Sequence, residues 1–190
     1  MAQILIGLLV IIAFIVVFVL FFYNTLVALR NRVKEAWSDI DVQLKRRSSL
    51  IPNLVNTVKG YMKHEKELLT KITELRSKID SAKSPKELGV LNNQMSSALG
   101  SLNIAVENYP DLKASNNFKQ LQEELTNTED KISYSRRFYN QNVLSYNTAI
   151  QKFPGVLIAG PMGFTAEEFF EANEQERKDV EVNFDDKPSK

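Results

Sequence analysis

Cysteine is absent from the 190 residues, which excludes a disulfide framework, a thiolate metal site, a cysteine nucleophile and a lipobox cysteine for acylation. Histidine occurs once, and His64-Glu65-Lys66-Glu67-Leu68 lacks the second imidazole that H-E-x-x-H zinc chemistry requires. A transition-metal site would then rest on carboxylates alone, a poor ligand set for zinc. Net charge is also nearly absent: 24 basic side chains face 23 acidic ones, a formal +1, so there is no broad electrostatic footprint for a nucleic acid. Ala159-Gly160-Pro161-Met162-Gly163-Phe164 has glycines but no Lys-Ser/Thr pair and no preceding strand, and reads as a turn rather than a phosphate loop. No cofactor and no catalytic residue are expected from these absences.

Charge is missing altogether from residues 4–23, ILIGLLVIIAFIVVFVLFFY. A helix of that length covers roughly 30 Å, the thickness of bilayer hydrocarbon. A cleaved signal peptide would need a basic n-region, a shorter apolar core and a small-residue cleavage site. The flank here is Met1-Ala2-Gln3, and the exit is Phe21-Phe22-Tyr23, an aromatic belt at the interface. The expectation is therefore a retained single-pass membrane anchor. Arg30, Arg32 and Lys34 follow the span while its other side carries only the α-amino group, which places the N-terminus outside and the remainder in the cytoplasm. Together with Tyr23 these basic residues are the candidate membrane-interface set; anionic headgroups would contribute about 1 kcal/mol for each basic residue near the surface. On a straight helix, Lys45, Arg46 and Arg47 lie roughly 30 Å from the membrane and are a separate matter.

Beyond the anchor the apolar period is helical. Val33, Trp37, Ile40 and Leu44, then Ile51, Leu54, Val58 and Tyr61, then Leu68, Ile72, Leu75 and Ile79 recur three, four or seven apart. Ser84-Pro85-Lys86-Glu87 signals a new helix, with Ser as cap, Pro in the first turn and Glu three residues after the cap. It carries Leu88, Leu91, Met95, Leu99, Leu102 and Val106. Tyr109-Pro110-Asp111 interrupts, and Ser115-Asn116-Asn117 opens a last pattern of Phe118, Leu121, Leu125, Ile132, Tyr139, Tyr146 and Phe153. Pro52 is ambiguous. The apolar phase survives across it, but length arithmetic favours a break near residues 47–50, since helices of about 33 and 55 Å would otherwise overrun the end of one long first helix.

The fold class predicted is all-α: an N-terminal transmembrane helix, then an antiparallel up-and-down four-helix bundle with a short C-terminal helix and an extended tail. The divisions are 1–23 anchor, 24–153 cytoplasmic helical bundle, 154–184 C-terminal turn, short helix and extended segment, and 185–190 disordered tail. The short helix is predicted over 166–177 from Thr165 as cap, Glu168 as the capping-box acid and a Phe164–Phe169 staple. Val180-Glu181-Val182-Asn183-Phe184 alternates as a strand would, with Val156-Leu157-Ile158 as its nearest partner in the chain. Thr128, Ser135 and Asn142 interrupt the last stripe at seven-residue intervals, where polar seam positions can set register or oligomer state. These three, with Val180, Val182 and Phe184, are the candidate partner or oligomer contacts. An enzyme with a carboxylate site is disfavoured, because Glu35, Asp39, Glu67 and Glu74 fall outside the apolar stripe.

The run from Tyr23 through Asn24-Thr25-Leu26-Val27-Ala28-Leu29-Arg30-Asn31-Arg32-Val33-Lys34-Glu35-Ala36-Trp37-Ser38-Asp39-Ile40-Asp41 to Arg47, followed by Leu50-Ile51-Pro52-Asn53-Leu54-Val55, resembles the signature of the LemA family of bacterial membrane proteins. Val58-Lys59-Gly60-Tyr61 with His64-Glu65, Tyr146-Asn147 before Phe153-Pro154, and Gly163-Phe164 before Phe169-Phe170-Glu171 continue the likeness to residue 184, with Ser49 departing from an acidic residue. The resemblance implies a single-pass protein with a cytoplasmic antiparallel bundle and carries over no reaction, substrate or catalytic residue. The function expected is a membrane-anchored scaffold or adaptor whose bundle meets protein partners, with a self-assembling membrane organiser as the alternative. The partners expected are the lipid bilayer, an unidentified protein and further copies of the chain, and not nucleic acid.

Overall fold

The computed structural model describes residues 1–62 and 64–170. Its first element, α1 (Ala2–Lys59), is a single unbroken helix of 58 residues, about 87 Å long. The break expected near residues 47–50 does not occur. Pro52 sits inside the helix, where a missing N–H and a ring clash cost about 3 kcal/mol. Leu50, Ile51, Leu54 and Val58 nevertheless stay buried in phase with Val33, Ile40 and Leu44. Burying one such side chain is worth about 1.5–3 kcal/mol, so keeping the stripe on one face outweighs the cost of the proline.

Four more helices follow: α2 (Lys66–Ser81), α3 (Pro85–Val106), the single-turn α4 (Pro110–Ala114) and the 36-residue α5 (Asn116–Gln151). The Ser84 hydroxyl accepts from the Glu87 N–H at 3.2 Å, so α3 starts with the Ser84 cap read from the sequence, and the Glu87 carboxylate reaches one residue further back, accepting from the Lys83 N–H at 3.1 Å. Ser48 bonds Asp80, Arg47 reaches Asn92 and Glu129, and Trp37 meets Tyr139. These pairings run the chain up, down, up and down. The length mismatch is resolved by sharing: α5 accompanies α1 along its length beyond the apolar run, whereas the shorter α2–α3 hairpin covers only the distal part.

The part of the α1–α5 pair nearest the apolar run is closed by the segment C-terminal to α5. Residues Gly155–Ala159 form a single helical turn, α6. Gly155 is required there, because a Cβ would lie 1.9 Å from the Ala149 carbonyl oxygen and 3.1 Å from a ring carbon of Phe22. Val156-Leu157-Ile158 is thus helical and not a strand partner; Val180, Val182 and Phe184 lie outside the described residues. After Gly163, at φ +73°, residues 164–170 run without regular secondary structure. The helix expected from Thr165 onward is therefore not formed over 166–170, and its remainder lies outside the described residues. No strand occurs among the described residues.

Candidate functional site

Side chains of α5 explain why residues 164–170 stay extended. Tyr139 and Tyr146 are seven apart and buried, and their hydroxyls donate to the carbonyls of Glu168 (2.8 Å) and Thr165 (2.9 Å). Each tyrosine is followed by an asparagine. The Asn147 amide donates to the Glu167 carbonyl and its oxygen accepts from the Glu167 N–H, both at 2.9 Å; Asn140 does the same with Phe170, again at 2.9 Å each way. Six hydrogen bonds thus hold one short strap, and all six go to its backbone.

The repeat has a geometric basis. Seven residues of α-helix rise about 10.5 Å, and three residues of extended chain span about 10.2 Å. A Tyr-Asn pair repeated every heptad therefore meets equivalent backbone groups every third strap residue, as Thr165/Glu167 and Glu168/Phe170. The capping box of Thr165 loses because a helix would withdraw those same N–H and C=O groups into its own ladder. Side chains anchor both ends. Phe164 meets the Tyr23 ring edge-on at 5.6 Å between centroids, and Trp37 packs against Tyr139 (5.4 Å) and Phe170 (6.4 Å).

Electrostatics support the same clasp. Burial, then the nearby carboxylates of Glu167 and Glu168, push the Tyr139 phenol up to about 12. Burial also raises Tyr146, with Arg30 opposing. Both phenols therefore keep the protons they donate. Arg30 Nε lies 3.7 Å from a Glu167 carboxylate oxygen, an ion pair longer than a hydrogen bond. Of the candidate interface residues, Arg30 thus turns to the strap, Tyr23 lies against Phe164, and Arg32 and Lys34 are exposed.

A second polar cluster sits higher, inside the bundle. Arg47 is 2% exposed and donates to Asn92 Oδ1 (2.5 Å), Glu129 Oε2 (2.7 Å) and Ser96 Oγ (3.4 Å), while Ser96 donates to the other Glu129 oxygen at 2.6 Å. Burial pulls the guanidinium below its ordinary value and Glu129 opposes the shift. A cleft of about 220 Å³ opens beside it between α3 and α5, walled by Leu54, Leu99, Leu102, Phe118 and Leu125. With Glu129 neutralising Arg47, the cluster ties α1, α3 and α5 together and leaves no unpaired nucleophile or acid/base pair.

Thr128 and Ser135 are not outward contacts. Thr128 is fully buried with its hydroxyl bonded back to the Glu124 carbonyl at 2.7 Å, and Ser135 is buried as well. Asn142 is half-buried and donates to the Phe138 carbonyl. His64 is exposed, and among the described residues no group of three His, Asp or Glu is placed to hold a metal ion.

Comparison with known proteins adds a family. The LemA family model matches residues 36–184. Protein LemA of Metamycoplasma hominis is 35% identical over 161 residues, 84% of this chain and 74% of that protein. Magnetosome protein MamQ of Magnetospirillum gryphiswaldense is 25% identical over 174 residues, and magnetosome protein MamQ 2 of Paramagnetospirillum magneticum is 26% identical over 175; in both cases 78% of this chain and 64% of the relative are covered.

Proposed function

This chain belongs to the LemA family, and we propose that it is a non-enzymatic, single-pass membrane scaffold that holds a helical bundle at the cytoplasmic surface for protein partners. In this reading residues 4–23 cross the bilayer with the N-terminus outside. One observation carries it: the helix that contains the apolar run is the same helix that forms the centre of the bundle. Nothing hinges between anchor and bundle, so a partner bound to the bundle is held at a fixed height and direction. The strap serves the same end, since it clasps the chain beyond α5 to both long helices at the membrane-proximal end.

The exposed aromatic side chains Tyr134 and Phe138 lie one turn apart on α5. They favour a surface used for contacts, by another protein in an adaptor or by a second copy in a self-assembling organiser. In-cell photocrosslinking from Tyr134 and Phe138, read by mass spectrometry, tests the reading. Reproducible crosslinks to one other protein support the adaptor, crosslinks to the chain itself support the organiser, and labelling of neither contradicts the scaffold role.

A further inference from the structure

Turn α6 is apolar on every side. Its inner residues Gly155, Ile158 and Ala159 are buried against the bundle, yet the outer ones remain uncovered: Val156 is 55% and Leu157 66% exposed, and the preceding Phe153 is 80% exposed. Met162 is exposed beside them. No charged residue occurs between Lys152 and Glu167. A surface turn in water would carry polar residues on its outer side, and a contiguous apolar patch marks an interaction surface.

Height identifies what the patch meets. Gly155 abuts the ring of Phe22, in the last turn of the uncharged run, and Phe164 packs on Tyr23. Val19, one turn further into that run, is already half-buried, whereas residues 1–18 are exposed throughout. Thus α6 sits beside the end of the apolar segment and not along the cytoplasmic stalk. We propose that Phe153, Val156, Leu157 and Met162 form a second membrane contact, dipping into the headgroup–acyl boundary next to the span, with Lys152 directed to headgroup phosphates. A short apolar surface of this kind lies in the interface plane rather than crossing it. Two contacts would fix the tilt of the bundle on the membrane, which one freely rotating helix cannot do. The inference rests on the reading of residues 4–23 as a span.

The absence of cysteine allows single nitroxide labels. Full-length chains carrying Leu157→Cys, Val156→Cys, Leu9→Cys or Ile104→Cys are placed in phosphatidylethanolamine–phosphatidylglycerol bilayers, and collision rates with oxygen and with a water-soluble nickel chelate are compared. Position 104, 75% exposed at the distal part of α3, is the water reference, and position 9 the lipid reference. The oxygen-to-nickel ratio at 157 and 156 is expected to exceed that at 104 several-fold and to fall short of that at 9. A ratio at 157 equal to that at 104 overturns the proposal. So does exclusion of both reagents, which would place a second copy on the patch. A water-like ratio at position 9 removes the span itself, and with it both readings.

Discussion

Replacing Asn147 with alanine tests whether the strap is held by backbone readout. The side chain makes two hydrogen bonds at 2.9 Å, one to the carbonyl and one from the N–H of Glu167, in a buried setting. At about 1 kcal/mol each, their loss weakens the clasp by about 2 kcal/mol. At 1.4 kcal/mol per tenfold, local opening rises about 30-fold. The reporter is the Glu167 amide itself, whose hydrogen–deuterium exchange is limited by that opening. In Asn147→Ala its exchange should quicken about 30-fold, and the Phe170 amide, still held by Asn140 and beside Trp37, should change less. Asn140→Ala should give the mirror-image pattern. Unchanged exchange at Glu167 in Asn147→Ala would refute the reasoning, because it would mean that side-chain packing alone keeps the strap closed.

Other outcomes rest on the same contacts. Glu129→Ala strands the Arg47 guanidinium among Asn92 and Ser96, and because Glu129 is partly exposed the cost should fall at the low end for a broken buried pair, about 3 kcal/mol by urea denaturation. Gly155→Ala should destabilise by about 1–3 kcal/mol, since its Cβ meets the backbone oxygen of Ala149 rather than a movable side chain. Pro52→Ala should raise the urea midpoint by restoring a helical N–H toward Ser48, a gain of about 2 kcal/mol after the lost rigidity of the unfolded chain. Tyr139 binds its proton more tightly folded, near 12, than unfolded, near 10. Its contribution is therefore complete below pH about 10 and lost as pH rises toward 12; in Tyr139→Phe this alkaline loss of stability should be blunted.

The long elements were legible because their apolar residues repeat over many turns: Ile40, Leu44, Met95, Leu102 and Ile132 are buried as the period requires. Periodicity read the ends less well. Tyr61 is exposed and Met62 buried in its place, and Phe153 faces outward. Pro52 misled because a local penalty was weighed without the tertiary packing that offsets it. The strap was hidden for a related reason: Thr165 and Glu168 form a sound local helix start, and only the distant Tyr139-Asn140 and Tyr146-Asn147 compete for its backbone. A signal did exist in those two dipeptides seven residues apart. Arg47 could not be recognised as buried, because its neighbours Lys45 and Arg46 are exposed and charge alone does not tell the three apart.

The central claim is that anchor and bundle are one rigid helix. Nitroxide pairs at Val17→Cys and Lys34→Cys, both exposed positions of α1 on either side of the end of the apolar run, are read by pulsed dipolar spectroscopy in lipid nanodiscs. A continuous helix predicts a narrow distribution with backbone positions about 26 Å apart. A markedly shorter or broad distribution would show a hinge between anchor and bundle and contradict the account.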